Sequence, residues 1–195
     1  MWLVWLVIIL VVAGAVTLVV FQQQGKLPGK SSRSLPPLER NVFTLQIGDI
    51  VQYLGTDWVV EGKLTYDDDG YTWLEYLLQD GDRIAWLSVD EDDRVEVALL
   101  EPSNQLDIST TPPKEITFVG ETYSLVGSGN ASMTRTGTTL NRTAERCQYY
   151  DYQGNDNKVL SIEVWKGEYE VTVGNRINPR MLSLLPGSGE RLYGS

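Results

Sequence analysis

The residues best suited to chemistry are two carboxylates that interrupt apolar strand patterns. Glu75 lies in the run Trp73-Leu74-Glu75-Tyr76-Leu77-Leu78, and Asp151 lies in Tyr149-Tyr150-Asp151-Tyr152. Because alternate side chains of a strand share a face, Glu75 shares an apolar face with Trp73 and Leu77 and should be buried. Buried carboxylates are normally paired. Two hypotheses follow: Glu75 and Asp151 form a site for a cation or an amine, or Glu75 is a structural residue held by an arginine or a tyrosine.

Three tyrosines surround Asp151 and extend this candidate site. Tyr149, Tyr150 and Tyr152 occupy both faces of one predicted strand, so at least one ring should be exposed. Exposed tyrosines suit a ligand or a protein partner. The tryptophans beyond residue 21 are instead expected to pack in the core, and they are Trp58, Trp73, Trp86 and Trp165.

Runs of consecutive acids could suggest a calcium site. They are Asp67-Asp68-Asp69-Gly70 and the segment 90–93. Calcium loops place their oxygen ligands at alternate positions and add a distant Glu, whereas these acids are consecutive. We therefore expect hairpin turns here, and likewise at Asn155-Asp156-Asn157. The sequence predicts no metal site and no cofactor.

The composition argues against common forms of catalysis. The chain has no histidine, which removes Ser-His-Asp and Cys-His nucleophiles and the usual general base near neutral pH. The single cysteine, Cys147, excludes an internal disulfide and is expected to be a buried, unreactive thiol. We therefore predict that the protein is not an enzyme and identify no catalytic residues.

The charge balance restricts the possible partners. The chain has 26 acidic and 16 basic side chains and a net charge of −10. An acidic domain is repelled by phosphate backbones. We therefore expect no nucleic-acid partner, and a charged partner should be cationic.

The first 21 residues form an uncharged apolar run, from Met1 to Phe21. Its length matches a helix that crosses a bilayer, with Trp2, Trp5 and Phe21 at the membrane interfaces. Basic residues follow the run, at Lys26, Lys30, Arg33 and Arg40. By the positive-inside rule, the N-terminus should lie outside and the remaining domain in the cytoplasm.

The remainder of the chain is expected to be all-β and mainly antiparallel. After a tether over 22–40, short alternating runs separated by turn residues predict two tandem, related β-meander or small-barrel units. We place these units at 41–101 and 116–185, with a connector over 102–115 and a disordered tail over 186–195. Within the second unit, residues 128–143 are expected to form an inserted polar loop, and a short helical turn is predicted at 178–182.

The two units repeat one order of features, which suggests an internal duplication. Tyr53-Leu54-Gly55 corresponds to Phe118-Val119-Gly120 at a spacing of 65 residues. Trp73-Leu74-Glu75-Tyr76 corresponds to Tyr149-Tyr150-Asp151-Tyr152 at a spacing of 76 residues. Further along, Val95-Glu96-Val97 is answered by Tyr169-Glu170-Val171.

These motifs resemble a bacterial family catalogued as domain of unknown function 4178. The resemblance covers about residues 45–185 and includes Gly48-Asp49, Trp58-Val59-Val60-Glu61-Gly62, Trp86-Leu87-Ser88-Val89 and Ser161-Ile162-Glu163-Val164-Trp165. It implies a β-rich domain in a membrane-associated bacterial setting and carries no established activity or catalytic residues.

The sequence therefore favours a membrane-anchored β domain that acts as a protein-binding or scaffolding module, or as an accessory subunit of a membrane complex. Its expected partners are the bilayer, through residues 1–21, and a membrane-associated protein, and a homo-oligomer is compatible with the pattern. The alternative is a sensor of a small ligand or cation, or an enzyme that uses Glu75 and Asp151.

Overall fold

The computed structural model describes residues 39–108, 111–140, 142, 145–187 and 189. The described residues form eleven strands and one short 3-10 helix, Pro179–Met181. In chain order the strands are β1 Ile50–Tyr53, β2 Thr56–Asp68, β3 Tyr71–Asp80, β4 Arg83–Glu91, β5 Val95–Pro102, β6 Glu115–Phe118, β7 Glu121–Gly137, β8 Arg146–Gln153, β9 Lys158–Trp165, β10 Glu168–Ile177 and β11 Ser183–Leu185.

Eight of these strands close into an antiparallel barrel in the order β2-β3-β4-β5-β10-β9-β8-β7, and β7 pairs back onto β2. The short strands β1 and β11 extend the sheet beside the first part of β2, and β6 lies beside the first part of β7. The predicted all-β, antiparallel class is confirmed. The two predicted units are joined in one sheet, because β5 pairs with β10 and β2 pairs with β7.

A register shift in each of the two longest strands makes this closure possible. It falls between Val60 and Gly62 in β2, and between Leu125 and Gly127 in β7. A bulge moves the following side chains to the other face of the sheet. In β2, Val60 therefore packs in one apolar cluster while Leu64 packs in another.

The buried residues form three clusters. One draws on both halves and fills part of the barrel interior, with Leu64, Leu77, Trp86 and Cys147 among its members. The other two lie on the opposite sheet face, one among strands of the first half and segment 42–45, the other among strands of the second half and the connector. Each half therefore has its own outer core, and the two halves share the interior.

The prediction that residues 128–143 form an inserted polar loop is wrong for most of this stretch. Residues 128–137 belong to β7, which pairs with β8 and with β2. Small polar side chains cover the outer face of this strand, while Ala131 and Met133 are buried on the inner one. The strand was missed because serine, threonine, asparagine and glycine are also the residues of turns. The predicted helical turn near the C-terminus is confirmed by the 3-10 helix.

Several predictions concern residues that the structure does not describe. They include the anchor 1–21 with Trp2, Trp5 and Phe21, nearly all of the tether 22–40, and most of the tail 186–195. Among the described residues, none of the helices has the length and apolar character to cross a membrane.

Candidate functional site

A buried arginine organises the barrel interior. Arg142 is 1% exposed, and its guanidinium forms ion pairs with Glu75, with Glu163 at 3.0 Å and with Glu170 at 3.0 Å. It also donates a hydrogen bond to the Tyr66 hydroxyl at 3.0 Å. The carboxylates come from β3, β9 and β10, so one side chain connects both halves of the barrel.

Arg142 enters the interior from the connection between β7 and β8. The Thr138 amide donates to the Glu61 carbonyl at 2.9 Å, which fixes the start of this connection on the bulge of β2. Gly62 is required there, since a Cβ would overlap the Thr138 carbonyl oxygen. Next to Arg142, the Thr139 hydroxyl donates to the Arg142 carbonyl at 3.1 Å. The guanidinium then lies 4.0 Å from the centre of the Trp86 ring, a favourable cation–π contact.

The cluster carries more acid than base. Burial raises the pKa of Glu163 to about 8, and the carboxylates of Glu75 and Glu170 act in the same direction, against Arg142. Burial likewise raises the pKa of Glu75, although Arg142 opposes that shift. For Arg142, the surrounding carboxylates outweigh burial and raise its pKa, so it stays charged. Among these carboxylates the pKa of Glu163 is therefore raised well above that of a free glutamate.

A cavity of about 220 Å³ lies beside this cluster, inside the barrel. Its lining includes five carboxylates, those of Glu75, Asp90, Glu96, Asp151 and Glu163. Aromatic walls accompany them, since Trp73 stacks on Tyr66 at 4.7 Å and meets Tyr149 edge-on at 5.1 Å between ring centres. The cavity therefore combines negative charge with aromatic surface.

Asp151 lines the same cavity as Glu75, as the hypothesis of a shared site requires. It accepts a hydrogen bond from the Ser161 hydroxyl at 2.8 Å. Burial raises the pKa of Asp151 to about 6, although this hydrogen bond opposes the shift. The structure brings Glu75 and Asp151 to one cavity, but of these two carboxylates only Glu75 forms an ion pair with Arg142.

At the outer part of the cavity, Asp90 accepts a hydrogen bond from the Tyr71 hydroxyl. Its second oxygen, Oδ1, is buried and has no hydrogen-bond partner among the described residues. Arg176 lies nearby and pairs with Glu96 at 3.1 Å. Asp90 therefore lines the cavity and has one buried oxygen without a hydrogen-bond partner in the described chain.

The prediction that at least one of the three tyrosines is exposed is wrong. Tyr152 is buried and donates to the Pro113 carbonyl at 2.8 Å. Tyr149 and Tyr150 are half-buried, and the Tyr149 hydroxyl donates to Asp68 at 2.7 Å. Of these three tyrosines, Tyr149 and Tyr152 line the cavity, and both Tyr150 and Tyr152 pack in the outer core of the second half.

The acidic runs form turns, as predicted. Asp69 and Gly70 take positive φ angles in the β2–β3 hairpin, and the Asp67 carboxylate accepts from the Gly70 amide at 3.1 Å. Cys147 is buried, and burial raises its pKa, as expected for an unreactive thiol.

Glu75 is paired with an arginine, as the structural hypothesis requires, and it also lines the cavity, as the site hypothesis requires. Glu163 was missed, although it carries the same signal, an acid within the apolar run Ile162-Glu163-Val164-Trp165. Arg142 was missed because nothing in its local sequence distinguishes it from an exposed loop arginine.

Fold and site together define a closed antiparallel β-barrel with a buried arginine–carboxylate cluster and a small acidic cavity. Residues 46–179, which include the whole eight-stranded ring, match the family described as domain of unknown function (DUF4178). The chain belongs to this family, as the sequence motifs predicted.

Relatives extend over nearly the whole chain. It is 31% identical to uncharacterized proteins of Mycobacterium bovis and Mycobacterium tuberculosis, over 94% of this chain and 95% of theirs. An uncharacterized protein of Aquifex aeolicus is 25% identical over 69% of this chain and 75% of its own. No solved structure gives a significant match.

Proposed function

We propose that the barrel is a binding module for a small organic cation, which it holds in the interior cavity without catalysing a reaction. The observation that carries this proposal is the set of five carboxylates lining a cavity of about 220 Å³. Arg176 is the cationic side chain in the described lining, and Arg142 and Arg94 pair with Glu75, Glu163 and Glu96 from outside it. Asp90 and Asp151 form no ion pair with a described residue, which leaves an excess of negative charge at the cavity. A bound cation would relieve this imbalance.

The chemistry of the walls favours an organic cation over a metal ion. Trp73 and Tyr149 supply ring edges and faces, and cations bind favourably over aromatic faces. Within the described residues, no group of three or more acidic, histidine or cysteine side chains is arranged to hold a metal. The volume is below the roughly 300 Å³ at which pockets for drug-sized ligands begin, so the ligand should be small.

Calorimetric titration of the full-length protein with butylammonium and 1,4-diaminobutane tests the proposal. Nanodiscs of zwitterionic lipid keep the lipid from binding the amines. Heat that saturates with one ligand per chain is the expected result. Asp151→Asn should weaken binding by about tenfold or more, the effect of losing one charged contact.

The control is Glu168→Gln, which removes an exposed carboxylate from the start of β10. Its affinity should equal that of the unmodified protein, because surface charge alone contributes little. Absence of saturable binding by either amine, or equal weakening by both variants, would contradict the proposal.

The proposal retains the predicted location of the domain, which is anchored to a membrane on its cytoplasmic side. The apolar run 1–21 and the basic residues after it support a membrane anchor with the domain on the cytoplasmic side. Protease protection in sealed membrane vesicles tests this orientation, since cleavage of the domain from the periplasmic side would exclude it. A protein partner at the membrane would receive the effect of ligand binding, which combines the scaffold and sensor hypotheses.

We also retain the internal duplication as a proposal. Equivalent tight turns at Leu54-Gly55 and Val119-Gly120 take positive φ angles, and a bulge follows each turn in the next strand. These correspondences support it together with the sequence spacing. In this view, two related halves enclose the cavity between them.

A further inference from the structure

Four of the five carboxylates of the cavity fall into two sets at different depths, and Asp151 is the fifth. Glu75 and Glu163 form the inner set and contact Arg142. Asp90 and Glu96 form the outer set, at the ends of β4 and β5 where these strands turn. We infer that the cavity accommodates a linear diammonium ligand, one ammonium on each set and its alkyl chain between them. This inference rests on the proposed function.

The register of the strands gives the spacing of the two sets. Glu75 pairs with Ser88 across β3 and β4, and Asp90 lies two residues further along β4. Two residues of a strand span about 7 Å, a length that about four or five methylene groups bridge. The ligand is therefore a short diamine rather than a long polycation.

The wall between the two sets suits an alkyl chain. Trp73, Ala98 and Val159 are apolar residues of the cavity lining. Burying methylene groups against such side chains contributes about 0.8 kcal/mol each. A diamine therefore matches the cavity in the order charge, apolar chain, charge.

The unsatisfied oxygen of Asp90 supports the outer contact. Oδ1 is buried and has no partner in the described part of the chain, while Oδ2 is occupied by Tyr71. A buried acceptor without a hydrogen bond is costly. Because Oδ1 is closed to solvent in the unliganded barrel, the Asp90 carboxylate would turn to bring this oxygen to an arriving ammonium.

The inner contact should release a proton. Burial raises the pKa of Glu163 and so favours its protonated form, whereas an arriving ammonium favours the ionised carboxylate. The groups that face Glu163 from the surrounding elements are Arg142, Glu75, Glu170, Tyr66, Asp151 and Cys147. Affinity should therefore rise as the pH increases from 6 toward 8.

The test compares monoamines with α,ω-diamines of three to seven carbons, again by titration of the full-length protein in zwitterionic nanodiscs. We expect the four- or five-carbon diamine to bind about tenfold or more tightly than the monoamine of equal length, the effect of a second charged contact. Repeating the titration in buffers of different ionisation enthalpy should show proton release.

Two variants assign the two ends of the ligand. Asp90→Asn should remove the preference for the diamine and leave the monoamine affinity unchanged. Glu163→Gln should weaken both ligands and abolish proton release, while Glu168→Gln should change neither. Urea unfolding of each variant confirms that it is folded.

The outcomes separate this inference from the proposed function. Equal affinity for monoamines and diamines, or an undiminished diamine preference in Asp90→Asn, overturns the diammonium ligand while cation binding stands. Binding of neither amine overturns both.

Discussion

The two halves of the barrel differ most in the connection between their second and third strands. In the first half, β2 joins β3 through the tight turn at Asp69-Gly70. In the second half, β7 joins β8 through residues 138–145, which include Arg142. The longer connection of the second half supplies the charge that holds the Glu75 carboxylate of the first half.

This difference explains why corresponding carboxylates have different environments. Glu75 on β3 pairs with a guanidinium, whereas Asp151 on β8 accepts from a serine hydroxyl. The barrel therefore has a charged inner end and a less neutralised acid further along its wall. The two halves therefore contribute unequally to the barrel interior.

The largest expected effect on stability comes from removing Arg142, the charged residue that the longer connection contributes. Arg142→Met leaves Glu75, Glu163 and Glu170 without their shared cation. Breaking a buried ion pair by removing one partner costs about 3–5 kcal/mol. Urea unfolding at pH 7 should show this loss, and the loss should shrink at pH 5 because the carboxylates then take up protons.

The matched control is Arg146→Met, on the exposed first residue of β8. Its free energy of unfolding should change by less than about 0.5 kcal/mol. If both arginine variants unfolded at the same urea concentration, the central role of Arg142 would be wrong.

The next effect concerns the dependence of stability on pH. The pKa of Glu163 is about 8 in the folded protein and 4.5 for the free side chain. Between these values the folded state binds a proton that the unfolded state has lost, so stability should fall as pH rises from 5 to 8. Its share of this fall is on the order of 2–4 kcal/mol.

Glu163→Gln isolates that share, because glutamine resembles the protonated acid. The variant should lose much less stability than the unmodified protein between pH 5 and pH 8, as measured by urea midpoints at both pH values. Glu168→Gln should retain the original dependence. A steep dependence that persisted in Glu163→Gln would place the responsible proton on another group.

The smallest effect compares the equivalent turns of the two halves. Leu54 and Val119 have φ angles of 47° and 48° and are 74% and 80% exposed. Such angles are unfavourable for branched side chains and are tolerated better by asparagine. Leu54→Asn and Val119→Asn should each stabilise the protein by about 0.5–1 kcal/mol, with the larger gain at the β-branched Val119.

Thermal unfolding of the single and double variants measures these gains, which should add because the turns lie in different halves. A loss of stability at either position would mean that the apolar side chain contributes a contact that outweighs its backbone strain.

Much of the fold could be predicted from local patterns. Alternating side chains and turn residues predicted the strands of the first half, and consecutive acids predicted the β2–β3 hairpin. The same alternation predicted that Glu75 is buried and paired. Strand β7 was partly missed, because its outer face consists of turn-forming residues and its inward Ala131 and Met133 are widely separated from other apolar side chains.

The sequence by itself therefore determined the class of fold, the turns and the burial of Glu75, since these depend on periodicities of a few residues. Only the tertiary structure decided how the barrel closes, how the bulges in β2 and β7 divide side chains between faces, and which cation Glu75 receives. Arg142 lies 67 residues from Glu75 along the chain. A buried charge requires a partner, but local physics does not specify where in the chain that partner is.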